Sequence, residues 1–122
     1  MRRTRYLLPV AAVLGLAGFG RATRAETTLT VHGAYCNNGG GGFYGCYADV
    51  SGGTGSYVDY RWRFTEYTLG GTYHTNQYGG PDGYVTGTCT VGRNVAVTVT
   101  VTDSNGAKAT GNGDFYCSQW AD

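Results

Sequence analysis

The chain has 122 residues, among them 22 glycines, two prolines and four cysteines, with a formal net charge of +1. Five of its nine basic residues lie in the first 25 positions, so residues 26–122 carry four basic against eight acidic side chains, net −4. That length suffices for one domain with one core and is too short for two. So sparse a set of cations argues against nucleic acid and anionic lipid as partners, because phosphate binding needs clustered positive charge.

The N-terminus has the order that export requires: basic Arg2, Arg3 and Arg5, an apolar run over 6–19, then Arg21-Ala22-Thr23-Arg24-Ala25. The run is short for a bilayer span, and the small residues Thr23 and Ala25 suit signal peptidase. A secretory signal peptide over 1–25, cleaved after Ala25, is therefore predicted. It leaves residues 26–122 as a single secreted domain, extracellular or periplasmic, with no membrane attachment. A retained anchor is the weaker reading because Arg21 and Arg24 stand at its far end. Arg2-Arg3 leaves the choice between general and twin-arginine export open.

Beyond the leader the chain reads as extended pieces separated by glycine-rich turns, at about 27–35, 46–51, 57–66, 72–76, 84–89, 94–102 and 107–117. In the third, Val58, Tyr60, Trp62 and Phe64 alternate with Asp59, Arg61, Arg63 and Thr65. The sixth places Val95, Val97, Val99 and Val101 on one side and Ala96, Thr98, Thr100 and Thr102 on the other, a two-residue period that demands one buried face. Asp103-Ser104-Asn105-Gly106 then supplies a hairpin turn, and Pro81-Asp82-Gly83 another turn between the fourth and fifth pieces.

No window holds a helical period, and each glycine would cost a helix about 1 kcal/mol. The predicted fold is all-β: a two-sheet antiparallel sandwich of immunoglobulin type with about seven strands. The 95–101 and 58–64 strands are expected to face each other across the core with Trp62 at its centre.

All four cysteines fall beyond the leader, as in exported proteins that keep disulfides. Of three possible pairings, Cys36–Cys46 with Cys89–Cys117 is favoured, because the intervening 37–45 segment can turn back in a hairpin. Loop closure gives roughly 2.5–3 kcal/mol for the shorter bridge and about 3.5 kcal/mol for the longer. Zinc is disfavoured, since no C-x-x-C spacing occurs.

Ser51-Gly52-Gly53-Thr54-Gly55-Ser56-Tyr57, then Tyr60-Arg61-Trp62-Arg63-Phe64, and the Val97 to Gly106 hairpin with its Val-Thr-Asp-x-x-Gly ending resemble the polycystic kidney disease (PKD) type of immunoglobulin-like domain. The likeness is closest to the cysteine-bearing variants appended to secreted bacterial hydrolases, and it spans about 46–117. The sequence departs from that pattern where Thr65-Glu66-Tyr67 replaces the usual Gly-Asp-Gly, and where Val95 replaces an aromatic. The resemblance implies a non-catalytic accessory or adhesion module.

No constellation dictates a reaction. His32 and His74 are the only histidines, and none of Ser51, Ser56, Ser104 and Ser118 sits in a nucleophile motif. Asp49, Asp59 and Glu66 could supply paired carboxylates, but Asp59 falls on an outer face. Asp103-x-Asn105-Gly106 lacks the later ligands of a calcium loop. Gly39-Gly40-Gly41-Gly42 lacks the lysine and helix of a phosphate cradle and reads as a flexible loop. No cofactor and no metal are expected. The candidate ligand surface is the 67–84 run, read as a recognition loop bearing Tyr67, Tyr73, His74, Asn76, Gln77, Tyr78 and Tyr84, with Tyr44, Tyr47 and Trp120 as extensions. Tyrosine offers large contact area at low entropic cost, and the amides and imidazole supply adaptable hydrogen bonds. The expected function is binding of an extracellular polysaccharide or protein, with inhibition of a secreted hydrolase as the alternative.

Overall fold

The computed structural model describes residues 27–71 and 73–122. The predicted leader over 1–25 and its cleavage point lie outside the described residues. Seven strands follow: β1 (Thr30–Gly40), β2 (Phe43–Ser51), β3 (Tyr57–Tyr67), β4 (Tyr73–Gly80), β5 (Tyr84–Thr88), β6 (Asn94–Asp103) and β7 (Lys108–Tyr116). They form two antiparallel sheets, one of three strands ordered β1-β2-β5 and one of four ordered β4-β3-β6-β7. This is the all-β, two-sheet sandwich that the periodicities predict, with the interleaved strand order of immunoglobulin-like folds.

The core is built from the alternation. Val95, Val97, Val99 and Val101 are each at most 1% exposed, and Trp62 and Phe64 are 2% exposed. The indole and the Phe64 ring stack at 6.0 Å with an interplanar angle of 7°. One expectation is corrected here. The tryptophan strand and the valine strand do not oppose each other across the core; they are neighbours in one sheet, with Trp62 paired to Val99 and Phe64 to Val97. The opposing layer comes from Val31, Ala34, Tyr44 and Cys46 on β1 and β2. Two-residue period identifies the buried face of a strand but carries no information on which sheet the strand joins.

Val58, expected in the core, is half exposed. A register irregularity between Tyr57 and Asp59 turns it outward, the usual effect of a bulge on the side chain it displaces. Tyr57 is half-buried instead, its hydroxyl donating to the Gly52 carbonyl at 2.9 Å.

Both disulfides are as predicted: Cys36–Cys46 and Cys89–Cys117. The first joins directly opposed residues of the β1–β2 hairpin. The second links the chain just beyond β5 to the chain just beyond β7, and so ties one sheet to the other. The pairing fits an oxidising compartment. The four-glycine stretch, read as a flexible loop, is the end of that hairpin, with positive φ at Gly40, Gly41 and Gly42. It is held by the C-terminal tail through Gly41 N–H to the Gln119 carbonyl at 2.8 Å. Buried Asn38 clamps the same tail, donating from Nδ2 to the Tyr116 carbonyl at 2.8 Å and accepting from the Ser118 N–H at 2.9 Å.

Candidate functional site

Inward-facing Cys36 and Cys46 are directly paired, so the residues beside them face outward. Tyr35 pairs with Tyr47, and Tyr47 pairs with Tyr84, giving one tyrosine per strand in a row across the three-stranded sheet. All three are about half exposed. The Tyr35 and Tyr47 rings lie 5.5 Å apart at 33°. Two glycines let outer rings lie down on the sheet. A Cβ at Gly33 would stand 3.1 Å from the Tyr35 ring, and a Cβ at Gly45 would collide with the Tyr84 hydroxyl. Rings lying over glycine present a face outward, the orientation in which aromatics stack against flat partners.

Beside this row runs a groove of about 480 Å³, lined by Asn37, Phe43, Gly45, Tyr47, Tyr84 and Thr86 among others. Phe43, at the hairpin end, is 61% exposed. The groove thus combines apolar ring surface with amide and hydroxyl groups, the mixture that suits a ligand having both apolar faces and hydroxyl edges.

The 67–84 run holds a longer strand than the extended piece expected at 72–76: β4 reaches Gly80, with turns on either side. β4 is the edge strand of the four-stranded sheet, and its alternation divides the expected patch among separate surfaces. Tyr67 and Tyr73 pair across β3 and β4 with ring centroids 6.3 Å apart, and Gln77 lies opposite Arg63. These three face outward with Arg63, Thr65 and Thr75 around a groove of about 490 Å³. His74 and Asn76 point to the other side of β4, both exposed. Tyr78 sits edge-on to Phe64 at 5.8 Å and 65° and helps close the core. Tyr84 belongs to the other sheet. Of the proposed extensions, Tyr47 joins the tyrosine row, Tyr44 is only 4% exposed and belongs to the core, and Trp120 is 72% exposed in the C-terminal tail.

The candidate catalytic groups do not converge. His32 Nε2 and Ser51 Oγ stand 2.7 Å apart on the surface, but no carboxylate orients the imidazole among the described residues. Asp49 lies on the three-stranded sheet. Asp59 and Glu66 fall on opposite faces of β3, where Asp59 stands 3.8 Å from Arg61 and buried Glu66 accepts from the Thr90 N–H at 3.1 Å. Among the described residues no three His, Cys, Asp or Glu side chains are grouped as metal ligands require. The Asp103 turn is closed by the chain itself: its carboxylate accepts from the N–H groups of Thr54, Asn105 and Ala107.

With this geometry established, comparison with known proteins adds no relative: no family model, no curated protein and no solved structure matches the chain.

Proposed function

We propose that residues 26–122 are a secreted, non-catalytic binding module that holds an extracellular polysaccharide on the outer face of the three-stranded sheet. The observation that carries this reading is the in-register row of Tyr35, Tyr47 and Tyr84, whose outer rings rest on Gly33 and Gly45. Aromatic surface left open in a row on a rigid sheet is the arrangement that stacks successive sugar rings, with Asn37 and Thr86 placed to bond their hydroxyls. Export by way of a leader over 1–25 is supported by the two disulfides, which need an oxidising compartment to form. Kinship with PKD-type domains is supported by the Ser-Gly-Gly turn, the Trp62 strand and the strand order.

The test is retention of the secreted protein on insoluble neutral polysaccharides. Tyr47→Ala and Tyr84→Ala are expected to lower affinity about tenfold each, the effect of removing an interface anchor worth about 1.4 kcal/mol, with far-ultraviolet circular dichroism unchanged. Retention that both substitutions leave intact would overturn the reading. So would the absence of any retention together with a tight complex with a secreted peptidase or glycosidase, which would favour the inhibitor alternative.

A further inference from the structure

The opposite surface of the sandwich, the outward face of the four-stranded sheet, has a different chemistry. Arg61 and Arg63 are two residues apart on β3 and therefore project from the same face. Three of the four basic side chains of residues 26–122 stand here, Arg61, Arg63 and Lys108, against two of the eight acidic ones, Asp59 and Asp114. Residues 26–122, net −4, thus keep a face of net +1.

Little of that charge is neutralised internally. Arg61 reaches Asp59 only at 3.8 Å, with its side chain 66% exposed. Arg63 has no ion-pair partner among the described residues. Lys108 Nζ donates to Thr102 Oγ1 at 2.9 Å, at the far end of the face. Two grooves, of about 490 and 280 Å³, share Arg63 and Gln77 and so lie side by side on this face. Tyr67 and Tyr73 wall the first, and Thr98 and Thr100 line the second. Opposite Arg61 stands Gly79, where a Cβ would lie 3.5 Å from the Arg61 Nε. The guanidinium therefore lies over Gly79, where an added methyl group would only touch it.

We propose that these adjoining grooves bind a carboxylate-bearing (uronate) polysaccharide, with Arg63, assisted by Arg61, on the carboxylates and the Tyr67–Tyr73 pair against a sugar ring. The guanidinium fork matches a carboxylate through two parallel hydrogen bonds. Two spaced cations among hydroxyl and amide groups suit a polymer with isolated charges, whereas a polyphosphate or polysulfate calls for a denser cationic cluster. This site is independent of the tyrosine row on the other sheet.

Affinity electrophoresis of the secreted protein through gels containing polygalacturonate tests it. Retardation is expected, weakening as salt is raised because the contacts are solvent-exposed ion pairs. Arg63→Ala should weaken binding about tenfold and Arg61→Ala less. Arg63→Lys should recover only part of the loss, since ammonium cannot form the fork. The comparison with the neutral polymer is made in Tyr47→Ala/Tyr84→Ala, which disables the tyrosine row: there the acid should still bind and fully methyl-esterified polygalacturonate should not. Both arginines are exposed, and circular dichroism of each variant checks the fold. The proposal is overturned if Arg61→Ala/Arg63→Ala binds as well as the wild type, or if Tyr47→Ala/Tyr84→Ala binds the ester as well as the acid. Equal binding to polyglutamate would move the partner to an acidic polypeptide, and binding to dextran sulfate alone would reduce the site to non-specific charge.

Discussion

Asp103 is 2% exposed, yet its carboxylate is a structural hub. It accepts from the Asn105 N–H at 3.0 Å and the Ala107 N–H at 2.9 Å, closing its own hairpin turn. It also accepts from the Thr54 N–H at 3.2 Å, fastening the β2–β3 turn to the β6–β7 turn. A carboxylate accepting several backbone donors stays satisfied without a cation, which accounts for a calcium-like sequence serving as a turn. Replacing it with alanine strands three donors, two within one turn and one across turns. Asp103→Ala should lose about 2–3 kcal/mol, the range for unsatisfied part-buried donors, read as a lower urea midpoint with an unchanged slope. A loss under about 0.5 kcal/mol would show that water replaces the carboxylate freely.

At the scale of elements, β1 and β7 bring the two sheets into close contact. A Cβ at Gly113 would strike the Ala34 carbonyl oxygen, and one at Gly111 would strike the Val31 side chain. The two sheets therefore meet along this side with backbone against side chain and no intervening layer. Gly113→Ala should cost about 3 kcal/mol or more, because a carbonyl oxygen in a paired strand cannot step aside as a flexible side chain can. Gly70→Ala, at a turn position with nothing within 4 Å, should stay within about 0.5 kcal/mol of the wild type. Equal effects in thermal melts of the two variants would contradict the contact.

At this scale the sequence was informative where periodicity or covalent chemistry spoke. The valine row, the Trp62 strand, the Asp103 turn and both disulfides were readable, because two-residue alternation and loop geometry are local properties. Sheet membership is not readable: alternation alone places the Trp62 and Val99 strands equally well in opposite layers, whereas they are hydrogen-bonded neighbours. The 72–76 piece is legible but its extent is not, because the glycines and amides of 76–80 weaken the strand signal, while pairing with Tyr60 to Tyr67 of β3 carries the strand on to Gly80. The tyrosine row was within reach. An antiparallel Cys36–Cys46 pair directed inward obliges residues 35 and 47 to oppose each other outward, and both are tyrosines.

For the molecule as a whole, the two sheets turn dissimilar faces to solvent: tyrosine rings, with Asp49 as a charged neighbour, on one side, and two arginines among threonines on the other. Between them lie tyrosines of a third kind. Burial, reinforced by nearby Tyr78 and then Glu66, pushes the Tyr44 hydroxyl well above its ordinary pKa of 10.0. Burial, with Tyr57 adding to it, also raises Tyr60. A group whose acid form is favoured in the fold contributes full stability below its ordinary pKa. That contribution falls as pH rises beyond it, because the unfolded chain releases the proton first. Stability should therefore be level up to about pH 10 and then decline by about 1.4 kcal/mol per pH unit for each tyrosine still protonated in the fold. A spectrophotometric titration followed alongside circular dichroism checks this. Tyr44 should ionise only together with the loss of the β-sheet circular dichroism signal, and Tyr60 above its ordinary range. Replacing Tyr44 with phenylalanine should remove one late-ionising group and delay the alkaline collapse. A single reversible step for every tyrosine, with the β-sheet signal intact throughout, would mean that no phenol is enclosed between the sheets.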